Sequence, residues 1–285
     1  MYNSDFAAER RLFKLNPNYH ELIKSTAFVM MNILDKYKTH FPSFTDHSSL
    51  HSLQVIDFCN RLMRDQVEKL NEDELYVLLM GCYLHDTGMG ISDDDYIQLK
   101  EKILSEEYKK AHPHEDIADA IRSFHHEFSA SFIRKYAPLF EVPSQQHVEA
   151  IAQVSRGHRK TDLNDSAEYP AHMQMPNGNT VCLPYLASLI RLADELDIAR
   201  DRMMTHDYEN EQRNRLHYDG HYAISSMTMT EDAFVFNVDP CSSEVHEFIK
   251  EEEIKLQEVL NECRETVKQR TEFEITQSKV EFIYH

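Results

Sequence analysis

Turn-forming residues are scarce in this chain. Glycine and proline together supply 15 of 285 residues, about 5% where roughly 12% is usual. So few chain-breakers exclude a barrel or sandwich of many short strands and leave long elements, most easily helices. Long apolar runs are missing too. The longest, Leu75 to Leu84, is about half of what a membrane span needs. The N-terminal MYNSDFAAERR has none of the apolar character of a secretory signal. No Cys-x-x-Cys pair occurs, and the five cysteines (Cys59, Cys82, Cys182, Cys241, Cys263) are odd in number. This speaks against a disulfide framework or a zinc–thiolate site and for a reducing compartment. A cytoplasmic location is therefore expected. Basic residues are outnumbered, 30 against 49 acidic, for a net charge of −19. Such a surface repels phosphate backbones and anionic lipid, so neither a nucleic-acid polymer nor a membrane is expected as a partner.

What the chain does have is apolar residues, 41% of the total, and they recur at helical spacing. This pattern predicts helices over 19–40, 47–64, 73–86, 93–111, 114–137, 144–157 and 183–203, with Thr45 or Asp46 capping the second and Asp73 the third. Segment 73–86, DELYVLLMGCYLHD, is apolar nearly all round and reads as a central buried helix. Residues 159–181 are polar, with Pro170, Pro176 and Gly178, and read as a long loop, of a length that is usually functional or disordered. Beyond about 206 the texture changes. Segments 221–230, 233–238 and 272–284 look like strands, and 243–270 like a charged helix. The expected fold is mainly α: a helical domain over 1–205 with a small α+β element of two or three antiparallel strands and a helix over 206–285.

Histidine is also abundant, at 17 residues, and several fall where the pattern calls for an apolar side chain. His51 shares a stripe with Val55, Phe58 and Leu62, and His85-Asp86 end the most hydrophobic helix. His125 lies on the stripe of Ile121, Phe128 and Phe132, His158 continues that of Ile151 and Val154, and Asp194 shares an edge with Leu186 and Ile190. A single such histidine is usually hydrogen-bonded within a core. Buried carboxylates gathered with imidazoles are costly unless a cation satisfies them together.

These residues carry a resemblance. His51, then His85-Asp86 in LLMGCYLHDTGMG, then Asp194 in LIRLADELDIARDR resemble the H…HD…D signature of the HD superfamily of metal-dependent phosphohydrolases, over about 41–203. His125 in HHEFSASFI and His158 in VSRGHRK are similar to the second-metal histidines of its two-metal members. FTDHSSLHS resembles the branch found beside GHKL-type ATPase modules, and the sequence carries no such module. Arg159-Lys160-Thr161 follow His158 where the cyclic-dinucleotide subgroup has Gly-Tyr-Pro, so that subgroup is not indicated.

The resemblance implies a helical core holding one or two divalent ions (Mn, Fe, Mg, Co or Ni). His51, His85, Asp86 and Asp194 would hold the first, and Asp86 as a bridge with His125 and His158 the second. It implies hydrolysis of a phosphomonoester or phosphodiester of a nucleotide-like small molecule by metal-activated water. Lys160 and Arg159 are the preferred phosphate-binding cations, with Arg191 and Arg202 as further candidates. His47 reads as an extra ligand or a surface residue, His126 as an outer residue, and Asp197 and Asp201 as orienting groups or helix surface. A non-catalytic HD-fold regulatory or nucleotide-sensing module is the alternative, and a carboxylate-rich metal oxygenase a third reading. Homo-oligomerisation through the C-terminal element is a further expectation.

Overall fold

Helices dominate, as the shortage of turn-formers requires. The computed structural model describes residues 6–39, 41, 49–114, 116–200 and 215–285. Thr45, Asp46, His47, Asp201 and Arg202 lie outside the described residues. Helix α1 (Ala7–Leu15) leads into α2 (Pro17–Ile33) through Asn16, whose side chain accepts from the Tyr19 amide and caps α2. Then come α3 (Ser49–Met63) and α4 (Glu72–Leu84). The cap of α4 is Asn71, which forms a reciprocal capping box with Glu74. The expected cap, Asp73, lies inside the helix and is fully buried. It accepts hydrogen bonds from His147 Nε2 and from the side chains of Asn177 and Asn179.

The polar helix expected over 93–111 is two, α5 (Asp93–Ile103) and α6 (Glu106–Ala111). Leu104 is extended between them, and Ser105 restarts the chain as a cap. After α7 (Ile117–Tyr136) and α8 (Gln145–Arg156) comes the segment expected as a loop. It carries a two-stranded hairpin, β1 (Met173–Gln174) with β2 (Thr180–Val181). Helix α9 (Leu183–Leu196) stops seven residues before its expected end, with Asp197 out of helical conformation (φ −84°, ψ 64°).

The first residues of the strand expected over 221–230 close α10 (Arg215–Ala223) instead, and β3 is Ile224–Met229. Strand β4 (Ala233–Val238) pairs antiparallel with β3. The 28-residue α11 (Ser243–Arg270) carries the chain back to β5 (Lys279–Tyr284), which pairs parallel to β4. That corrects the expected all-antiparallel sheet. A long crossover helix returns the chain to the end of the sheet where β4 began, and a parallel neighbour follows.

Helix α4 is buried along nearly its whole length among α1, α2, α3, α8 and α9. Helix α11 lies along α9. Its Ile249, Leu256, Leu260 and Val267, with Phe234 and Phe236 of the sheet, join one apolar cluster with α4 and α9. A smaller cluster of Tyr37, Phe41, Met89, Tyr96, Ile121 and Phe128 sits where α7 meets the turn after α4.

Candidate metal centre

Three histidines use one local device. The last carbonyls of a helix have no intrahelical partner. His85 is the residue that caps the C-terminus of α4, and its Nδ1 donates to the Cys82 carbonyl at 2.9 Å. His158 follows the end of α8, and its Nδ1 donates to the Ser155 carbonyl at 2.5 Å. His125 lies within α7 directly after a break at Phe124 (φ −123°, ψ 15°), and its Nδ1 donates to the Arg122 carbonyl at 2.8 Å. In each case a carbonyl three residues back fixes the tautomer, because a carbonyl only accepts. His51 lies inside α3, and its Nδ1 meets a carboxylate oxygen of Asp197 at 2.6 Å. The early end of α9 turns Asp197 toward it.

With Nδ1 protonated, each neutral ring presents Nε2 as a bare lone pair. These atoms converge. Nε2 of His51 lies 3.2 Å from Nε2 of His85, and the corresponding atoms of His125 and His158 are 2.9 Å apart. Asp86 stands between the two pairs. Its Oδ2 is 3.5 Å from His51 and 3.4 Å from His85, while its Oδ1 is 3.6 Å from His125 and 3.7 Å from His158. Asp194 Oδ1 completes the first group, 3.1 Å from His51 and 3.9 Å from His85. All six residues are buried, His85 and His158 completely. Two groups result, His51–His85–Asp194 and Asp86–His125–His158, each with its ligand atoms within 4.8 Å of one another.

Ionisation suits ligation. Burial, with the neighbouring His125 and His85, holds His158 well below its ordinary pKa. Burial would raise Asp194, but the adjoining His51, 3.1 Å away, outweighs it and holds the carboxylate well below its usual range. His126 is buried beside the second group, and burial pushes it down to about 3, with His125, Arg156, Arg159 and Lys160 adding to the shift. Two facing imidazole lone pairs and a shared carboxylate repel unless a cation sits among them. Nitrogen with carboxylate oxygen is the donor chemistry of a divalent transition ion, so these residues fit such a group.

Gly88, in the turn after Asp86, makes this approach possible. A Cβ there would lie 2.1 Å from the His125 carbonyl oxygen and 2.7 Å from the Ser129 amide nitrogen. Its own amide donates to Ser129 Oγ at 2.8 Å. The Thr-Gly-Met-Gly after His85-Asp86 therefore docks α4 against α7.

The cations divide. Arg191 is buried and its donors are engaged: Nε on the Gly157 carbonyl, Nη2 on the Arg159 and Thr161 carbonyls, and Nη1 on Glu262. It ties the turn of His158 to α9 and α11 and does not face a substrate, contrary to its candidacy from sequence. Arg159 is partly exposed and pairs with Glu195 at 3.2 Å, and Lys160 is exposed. Both line a cavity of about 370 Å³ with Tyr108, His112, Asp119, Arg122 and Ser123. The periodicity of α7 gave no hint of Arg122, a polar residue on an exposed face. Within the 159–181 segment, the β1–β2 hairpin lies away from these residues, its Asn177 and Asn179 joining Asp73 at the other end of α4. Thirteen residues of helix rise, about 20 Å, separate Asp73 from Asp86.

A family model described as HD-CE matches residues 41–276. The match takes in all six converging residues and leaves α1, α2 and β5 outside. No curated protein matches the chain. Among the described residues, no helix is long and apolar enough to cross a membrane.

Proposed function

The chain belongs to the HD-CE family, and on that premise we propose that it is a metal-dependent phosphohydrolase. It would cleave a phosphomonoester or phosphodiester of a nucleotide-like small molecule. The observation that carries this reading is the carboxylate of Asp86, which turns one oxygen to the His51–His85 pair and the other to the His125–His158 pair.

In this reading His51, His85, Asp86 and Asp194 hold one ion, and Asp86, His125 and His158 a second. Bound ions would lower the pKa of coordinated water and neutralise charge on the phosphoryl oxygens. The protein's own contribution is orientation. Asp197 and the carbonyls of Cys82, Arg122 and Ser155 fix the four rings, so little reorganisation accompanies binding. Arg159 and Lys160 supply positive charge to an otherwise acidic protein. Imidazole with carboxylate favours Mn, Fe, Co or Ni over an all-oxygen calcium site.

Elemental analysis of the purified protein beside Asp86→Ala tests the reading. About two transition ions per chain are expected, lost in the variant, together with manganese-dependent hydrolysis of bis(p-nitrophenyl) phosphate or p-nitrophenyl phosphate by the wild type. Absence of metal, with none taken up from added manganese or iron, overturns it. Metal without hydrolysis of these esters or of nucleotides favours the sensing module.

A further inference from the structure

The cavity beside the second histidine pair is cationic in a chain whose net charge is −19. Its walls come from the segments that carry the ligands. Arg122 and Ser123 stand three and two residues before His125, and the Arg122 carbonyl itself orients that ring. Arg159 and Lys160 immediately follow His158. Arg159 pairs with Glu195 at 3.2 Å, and Glu195 is shared with Lys255, which pairs with Glu252 as well. Lys160 is exposed and Asp119 offsets one charge on the α7 wall. The outer wall is aromatic: the Tyr108 ring stacks on His112 with centroids 4.2 Å apart and planes 23° apart.

A reacting phosphoryl group held at the Asp86 centre would have its charge met by the ions there. Arg122, Arg159 and Lys160 then have no reacting charge to meet. Guanidinium groups are built to take phosphate oxygens in pairs, and a stacked aromatic pair offers a face to a planar base. About 370 Å³ falls at the lower end of the range for small-molecule sites.

We propose that this cavity binds the non-reacting phosphate of the substrate, with Arg122 and Lys160 as specificity-determining residues, so that the preferred substrate class is a nucleoside di- or triphosphate. The inference rests on the phosphohydrolase reading above. Calorimetric titration of the purified full chain with ADP and AMP tests it, with metal content counted separately by elemental analysis. ADP is expected to bind at least 10-fold more tightly than AMP. Arg122→Ala with Lys160→Ala is expected to bring the two ligands within about threefold of each other, with metal content unchanged. Lys160→Glu alone, at an exposed position that folding does not depend on, is expected to erase most of the preference. Equal affinities in the wild type, or a preference that survives in Lys160→Glu, overturn the assignment of the cavity. A wild type that takes up no metal overturns the phosphohydrolase reading instead, so the two failures are separate.

Discussion

Each metal-type histidine is paired with the group that decides which of its nitrogens carries the proton. Three of these groups are carbonyls, which no side-chain substitution removes. The fourth is Asp197, buried with His51 Nδ1 2.6 Å from its carboxylate. Groups in this position typically govern metal affinity 10–100-fold. Asp197→Ala is expected to weaken manganese binding at the His51–His85–Asp194 group by about that factor, and Asp197→Asn, whose amide oxygen can still accept, by clearly less. Manganese titration followed by calorimetry measures both. Equal loss in the two variants, tracking a common loss of thermal stability, would mean that Asp197 only fills space. His51, His85, Asp86, His125, His158 and Asp194 were legible as candidates because each is polar at a position where its helix demands an apolar residue. Asp197 was legible only as one of two alternatives, an orienting group or helix surface, since the choice depends on where α9 ends, and that is set by tertiary contact. Arg191 illustrates the opposite error. A cation close in sequence to a ligand reads as substrate-facing, yet its helix turns it inward onto the carbonyls of Gly157, Arg159 and Thr161.

Existence and type were readable for the long elements, because a 3.6-residue apolar period extends over α2, α3, α7, α8, α9 and α11, and α4 is apolar nearly all round. Ends were less readable. The division of 93–111 turns on a single extended residue, Leu104, and the late start of β3 on His221, Tyr222 and Ala223 closing α10, neither of which periodicity encodes. The parallel pairing of β5 depends on which end of the sheet α11 delivers it to. The turn after α4 is the element on which the second histidine group depends most. At Gly88 any side chain would meet backbone on α7, the His125 carbonyl and the Ser129 amide, and neither can rotate away. Overpacking a core typically costs 1–3 kcal/mol, and a clash with backbone belongs at the upper end. Gly88→Ala is therefore expected to destabilise by about 3 kcal/mol and to lower metal content from about two ions toward one. Urea unfolding with elemental analysis would check both. A variant of wild-type stability that still holds two ions would show that α7 yields at no cost.

At the scale of the whole molecule, the six converging residues come from α3, the end of α4, α7, the turn after α8, and α9. Metal at this centre would therefore join segments more than 140 residues apart, between His51 and Asp194, through the interior of the main apolar cluster. Binding that requires the folded arrangement stabilises by mass action, about 2.7 kcal/mol when free metal is 100-fold above its dissociation constant. For a chain of this size each kcal/mol moves the melting temperature by roughly 2–4 °C. Saturating manganese is thus expected to raise the melting temperature of chelator-treated protein by about 5–10 °C, and Asp86→Ala is expected to abolish the rise. The chain carries 49 acidic residues, and weak adsorption of cations to the exposed ones would also stabilise somewhat. That contribution is screened by salt, whereas a buried centre is not. The decisive comparison is the manganese-induced rise at low salt and at 0.5 M sodium chloride. A rise that persists in high salt and disappears in Asp86→Ala belongs to the centre. A rise that salt removes, or that Asp86→Ala retains, belongs to the surface and would leave the converging histidines without the ion their geometry implies.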